Sequence, residues 1–294
     1  MKDPQRLADC VCLQAGVFSM GTSAPNEPEY AEFMPKSLIF SHTEVRRYGF
    51  GLCGGAPLSL FTKDADIKQH KAYTAAKAGD IAAAMQLISD LALSFIFDHR
   101  HQFSKNHIFV APHAREASGD NAIPQVLAEV CALVAGAKAD TDIVQTTKVF
   151  HTGADPMGRM GLRAQFEGNV VPLGQYVLVD DVCSLGGTLA ELANYIQLKG
   201  GQIAQIFVLV NAGRTSKFKP EAKIIRLLEK RYGHEITEIF GIEPAALTAN
   251  EASYLVGFRT ADEIRNRLAK ARQETHLRLR SKGIGATDQG KTGS

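Results

Sequence analysis

The chain has no excess of either charge: 33 Lys and Arg stand against 31 Asp and Glu over 294 residues, a net +2. That balance lacks the dense positive field by which proteins hold nucleic acid, so nucleic acid is not an expected partner. Cysteine is sparse and unpatterned. Cys10, Cys12, Cys53, Cys131 and Cys183 are odd in number and scattered. They fit neither a zinc site nor a disulfide framework, and a reducing cytoplasm is the expected compartment. Long apolar runs are missing too: the stretch around residues 91–97 is far too short to span a bilayer. Leu7-Ala8-Asp9-Cys10 resembles a lipoprotein cleavage box only superficially, because Asp9 stands where a small residue is needed and no apolar stretch precedes it. A soluble protein without membrane contact is the expectation. There are no internal repeats. What the chain does have is 45% apolar residues, enough to build the core of one large or two small domains.

Up to about Thr62 the sequence is rich in Gly and Pro, with short strand-like runs at 37–40 and 58–61. Two helical stretches follow. Residues 64–78 stop at Gly79, and Asp80 caps a second stretch whose Ile81, Met85, Ile88, Leu91, Ala92 and Phe95 keep a 3.6-residue period. This region reads as an accessory layer without chemistry of its own. The core begins near His107: a strand at 108–111, a polar loop, an apolar-striped helix at 122–136, and a strand at 143–149. A long Gly-rich connection leads to a strand at 176–179, a helix at 189–199 closed by Gly200-Gly201, and a strand at 203–210. Such alternation implies crossovers and a mainly parallel sheet. Helices near 248–256 and from 262 to about 282 follow, and the Gly-, Thr- and Ser-rich tail has the composition of a disordered segment.

The densest signal is Val177–Thr188, VLVDDVCSLGGT. An apolar strand ends in Asp180 and Asp181. A turn of small residues, Ser184, Gly186, Gly187 and Thr188, then opens an amphipathic helix. Glycines let backbone N–H groups approach an anion, and the helix N-terminus adds positive potential. Two carboxylates beneath a phosphate cradle make sense if the ligand also offers hydroxyls, as a ribose 5-phosphate does. A P-loop would need Lys after the second glycine, where Thr188 stands, and a dinucleotide fingerprint would need G-x-G-x-x-G.

This segment resembles the 5-phosphoribosyl-1-pyrophosphate (PRPP) motif of the type I phosphoribosyltransferases. The resemblance implies a Rossmann-like, mainly parallel twisted sheet of that family's kind, with N-terminal and C-terminal helical additions. It divides the chain into a hood region 1–106, a core 107–215, a C-terminal helical region 216–282 and a tail 283–294. It also implies that Asp180 and Asp181 face the ribose hydroxyls and that Ser184, Leu185, Gly186, Gly187 and Thr188 wrap the 5-phosphate. Leu185 departs from the pattern, standing where the family usually has Thr. Mg²⁺ would be held mainly by PRPP itself, near Asp180, with no metal ligands supplied directly by the protein. A homodimer is the expected assembly.

Two loops complete the expectation. His113, Ala114 and Arg115 follow the first core strand, where the family keeps its pyrophosphate loop; the alternative is a surface loop with a solvated Arg115. The connection KVFHTGADPMGRMGLR, residues 148–163, reads as a mobile lid carrying Lys148, His151, Arg159 and Arg163 toward pyrophosphate. His151 is a candidate general acid or a turn residue. The last helix carries seven basic residues between Arg265 and Lys282 against Glu274 alone, and reads as a solvated exterior helix. The functional expectation is transfer of a phosphoribosyl group from PRPP to a nitrogenous, nucleobase-like acceptor. The arrangement is similar to a bacterial group rather than to the orotate, adenine or hypoxanthine enzymes, which leaves the acceptor open. The alternative is a PRPP-binding regulator that keeps the site without catalysis.

Overall fold

A computed structural model describes residues 44–50, 55–113, 121–147 and 155–281, which fall in the unit Phe40–Ser294. Strand β1 (Leu58–Phe61) leads through helices α1 (Ala65–Lys68), α2 (Tyr73–Lys77), α3 (Ile81–Leu91) and α4 (Leu93–His99) to β2 (His107–Val110). Next come α5 (Ile123–Ala135), β3 (Lys138–Asp140), β4 (Val144–Gln145), α6 (Pro156–Gly161) and β5 (Phe166–Glu167). The chain continues through β6 (Gln175–Cys183), α7 (Gly187–Leu198) and β7 (Gln202–Asn211). It ends in α8 (Ala222–Tyr232), α9 (Glu235–Phe240), α10 (Ala249–Val256) and α11 (Ala261–Ser281).

Five strands form an entirely parallel sheet in the order β1-β7-β6-β2-β3. The central strand β6 is apolar and buried from Tyr176 to Val179, as a strand covered on both faces must be. One face packs on α3, α4 and α5 through Leu87, Ile96, Leu127 and Val177. The other packs on α7 through Leu189, Leu192, Ile196 and Leu178. A third core joins α6 to the C-terminal helices through Met157, Met160, Phe240, Leu255 and Leu268. The α/β class and mainly parallel sheet therefore agree with the expectation, and the sheet draws its edge strand β1 from upstream of residue 107.

The structure corrects two strands. The second core strand is β3 at 138–140, not 143–149. Gly136 ends α5 at φ 64°, and the chain enters the sheet almost at once. Val144–Gln145 pairs instead with β5 in a separate antiparallel ribbon. Strand β6 also runs on through the acid pair to Cys183. The helical stretches upstream divide as well: residues 64–78 form α1 and α2, and α3 and α4 meet at a 60° bend. Among the described residues no single helix is long and apolar enough to cross a membrane. The bent pair passes by length and composition, but Leu87, Ile88 and Ile96 are buried in the first core.

Strand order places the crevice. From β2 the chain crosses through α5 to β3 on one side, and from β6 through α7 to β7 on the other. The carboxyl ends of β2 and β6 therefore flank a topological switch point, where parallel α/β sheets bind ligands. Pairing of β2 with β6 ends at Val110 and Leu178, and Pro112 has no N–H to extend it. Beyond Leu178 the strand pairs with β7, up to Cys183 against Asn211, so the acid pair sits on a projecting segment.

Candidate functional site

A cleft of about 690 Å³ opens at this switch point, lined by Pro112, His113, Asp180, Asp181 and the whole run Ser184–Thr188. The run turns tightly because Gly186 sits at φ 80°, in the left-handed region, as the N-cap of α7. A side chain there would also collide with Phe218, whose Cε1 lies 2.9 Å from the position of an added Cβ. The twelve-residue α7 then presents the unpaired N–H groups of its first turn toward the cleft.

The two acids differ. Asp181 is buried and its carboxylate is engaged: Oδ2 accepts from Lys77 Nζ and from Asn121 Nδ2, each at 2.8 Å, and Oδ1 from the N–H of Val182 at 2.8 Å. Asp180 is half-buried and accepts the N–H of Asp181 at 2.9 Å. Burial, and then the neighbouring charge of Asp181, hold the Asp180 carboxyl well above the usual carboxylate range. Lys77 is the reverse case. Burial acts to lower its ammonium, but the charge of Asp181 and the hydrogen bond to it more than offset this, so its affinity for a proton is raised. Helix α2 thus supplies a site cation from a layer expected to carry no chemistry.

Arg159 is brought to the loop by α6, its Nη1 donating to Ser184 Oγ at 2.5 Å, and burial lowers its pKa. His113 stands at the cleft wall. Its Nδ1 lies 3.1 Å from the carbonyl of Ala111, which can only accept, so Nδ1 is the donor of that bond. Leu185 turns its side chain into the C-terminal core, and its carbonyl accepts from Thr248 Oγ1 at 2.6 Å. Ala114, Arg115, Lys148 and His151 lie outside the described residues.

The lid expected over 148–163 is corrected from residue 155 onward. Asp155 caps α6 by accepting the N–H of Gly158 at 2.7 Å, and it also pairs with Arg267 of α11. Met157 and Met160 are buried in the third core, and Gly161 packs against Leu268. Arg163 does not reach toward the acid pair. It forms a two-pronged pair with Glu191 of α7, with Nε on Oε1 and Nη2 on Oε2, both at 2.7 Å. Glu191 also accepts from the buried Arg46 at 3.1 Å, and Arg46 pairs with Glu251 of α10. Glu251 in turn accepts the N–H of Thr248 in a capping box. This buried network of four charges ties residue 46, α7 and α10 together directly behind the glycine loop. Nothing local in the sequence marks Lys77, Asn121, Arg46, Glu191 or Glu251 as site residues. Lys77 and Asp181 are 104 positions apart, and Arg46 and Glu251 are 205 apart.

No family model matches the chain. It is 35% identical over 217 residues to Protein TraN of Escherichia coli, covering 70% of this chain and 48% of that one. It is 39% identical over 134 residues to an uncharacterised protein of Haemophilus influenzae, covering 45% of this chain and 30% of that one. The chain therefore spans about half or less of these curated relatives. Among solved structures it overlaps adenine phosphoribosyltransferase from Leishmania donovani at 12% identity and a TM-score of 0.29, over 52% of this chain and 71% of that one. It overlaps a hypoxanthine phosphoribosyltransferase from Staphylococcus aureus at 9% identity and a TM-score of 0.28, over 51% and 75%. Overlaps of that size do not establish kinship; the mainly parallel α/β class rests on the strand pairing itself.

Proposed function

We propose that the cleft binds PRPP and that the protein transfers its phosphoribosyl group to a nitrogenous acceptor, releasing pyrophosphate. One observation carries this reading: an acid pair and a glycine turn stand consecutively at the carboxyl end of a central strand, at the switch point, and lead into a helix N-terminus. The loop N–H groups, Ser184 and Thr188 suit a dianionic phosphate, with Arg159 beside them. Asp180, with the larger remaining acceptor capacity, and Asp181, once a ligand hydroxyl displaces a donor from it, suit the ribose hydroxyls. As the bond at the anomeric carbon breaks, positive charge builds on the sugar. Carboxylates set in a partly desolvated cleft would stabilise that charge.

Among the described residues no group of three or more His, Cys, Asp or Glu could hold a metal ion. In this reading Mg²⁺ would be held mainly by PRPP itself, near Asp180, and would supply neutralisation of the diphosphate charge. The acceptor base, a homodimeric assembly and a cytoplasmic location belong to the same proposal.

The second reading is a PRPP-binding regulator without catalysis. Its support is specific: Asp181 already accepts from three donors, so the sugar reaches its Oδ2 only by displacing one of them. Titration calorimetry with PRPP and Mg²⁺, followed by pyrophosphate release on a panel of nucleobases, separates the two. Binding with turnover is the expected result. Binding without turnover on any base selects the regulator, and no binding removes both.

A further inference from the structure

We infer that Lys77 is the counter-ion of Asp181 and that a bound ligand engages it through an anionic group at the anomeric position. The inference rests on the PRPP reading and adds a residue and a selection rule to it. Lys77 ends α2, and Gly79 (φ 96°) turns the chain away behind it. Its Nζ sits 2.8 Å from Asp181 Oδ2, with the side chain 37% exposed against 6% for the carboxylate. The ammonium is therefore the more solvent-facing member of the pair. The same oxygen accepts from Asn121, which lines the cleft with Pro112 and His113. Lys77 and Asn121 consequently meet at one carboxylate oxygen on the wall of the cleft proposed to hold the sugar.

Charge decides what can bind there. The neighbouring cation Lys68 is already paired with Asp64 at 2.5 Å. Asp180 and Asp181 are the carboxylates whose charges act on Lys77. A ligand hydroxyl that takes Asp181 Oδ2 displaces the ammonium. A part-buried cation left without a partner is costly, so the exchange is favourable only when the ligand brings its own anion to the same place. A sugar phosphate without an anomeric anion must break the Lys77–Asp181 pair and return nothing. One with a diphosphate at that carbon replaces the pair with charge-assisted hydrogen bonds of the stronger kind. Lys77 is in this account a specificity-determining residue that rejects simple ribose phosphates.

The test measures binding of ribose 5-phosphate and of PRPP, each with Mg²⁺, to the full chain and to Lys77→Gln and Lys77→Arg, with far-ultraviolet circular dichroism to show that each variant is folded. In Lys77→Gln, PRPP affinity should fall by about ten- to a hundredfold, the range for a lost hydrogen bond to a charged group. Ribose 5-phosphate affinity should stay equal or rise. Lys77→Arg should keep the parental preference for PRPP, because the cation is retained. Equal losses for both ligands in Lys77→Gln, or no loss for PRPP, would overturn the role of Lys77 while leaving the PRPP site standing. A parent chain that binds neither ligand would overturn the PRPP reading and this inference with it.

Discussion

Asp180 and Asp181 are adjacent in sequence yet differ in what holds them. Asp181 has a lysine, an asparagine and a backbone N–H; Asp180 has one backbone N–H and a raised pKa caused first by burial. Above its folded-state pKa, ionised Asp180 costs native stability, because the unfolded chain ionises it more easily. That cost fades as pH falls through the folded-state pKa and is gone below about 3.9, the unfolded value, where both states become protonated. Asp180→Asn should therefore raise the urea midpoint at pH 7, and the gain should shrink steadily toward pH 4. A gain that does not depend on pH would exclude the raised pKa as its cause. Leu185 is the other instructive residue. It packs, partly buried, against the C-terminal core, a contact that a threonine could not match. Leu185→Thr should lose about 1 kcal/mol of stability, since one partly buried apolar side chain is exchanged for a smaller polar one. Urea denaturation of the variant beside the parent reads this directly.

At the scale of elements, α6 changes the meaning of its segment most. Three glycines and a proline between residues 153 and 161 suggest a loop. Asp155 and Pro156 are instead a helix start, with the carboxylate on the third N–H and the proline where no N–H is needed. A six-residue helix is stable only through tertiary contacts, here Met157 and Met160 in the third core. Met157→Ala should cost about 2–5 kcal/mol, as for other buried large-to-small changes. Trypsin should leave the bonds after Arg159 and Arg163 intact in the ligand-free parent and cut them early in Met157→Ala. Rapid cleavage of the parent at these sites would return the segment to a lid.

For the molecule as a whole, the four-charge network is the joint between the sheet and the C-terminal helices. Glu191 faces two guanidinium groups, of Arg46 and Arg163, with side chains 1% and 10% exposed. Burial acts against the charge of Arg46, but Glu251 and Glu191 outweigh it. Removing one partner of such a group leaves buried charge uncompensated. Glu191→Ala should therefore cost about 3–5 kcal/mol, measured by denaturant unfolding, and far exceed the same change at exposed Glu229. Equal effects at the two positions would mean that the network is solvated and holds nothing together.

What could be read along the chain was what neighbours decide. Tyr176–Val179 is apolar enough to be a strand anywhere, Asp80 and Thr248 are helix starts by their own chemistry, and Ser184–Thr188 bends because Gly186 permits a left-handed backbone. The α/β class, the glycine turn and the acid pair follow from such local rules. The rest depended on distant partners. Three short residues at 138–140 are a core strand only because β2 offers them an open edge. Residues 155–163 are helix and anchor only because α11 and Glu191 meet them. Lys77 is a site residue only because the fold sets α2 against the projecting end of β6. Local preference selects an element when it rests on backbone dihedrals and periodicity. The pairing of charges across the chain is settled by burial, and burial exists only once the sheet and its three cores have closed.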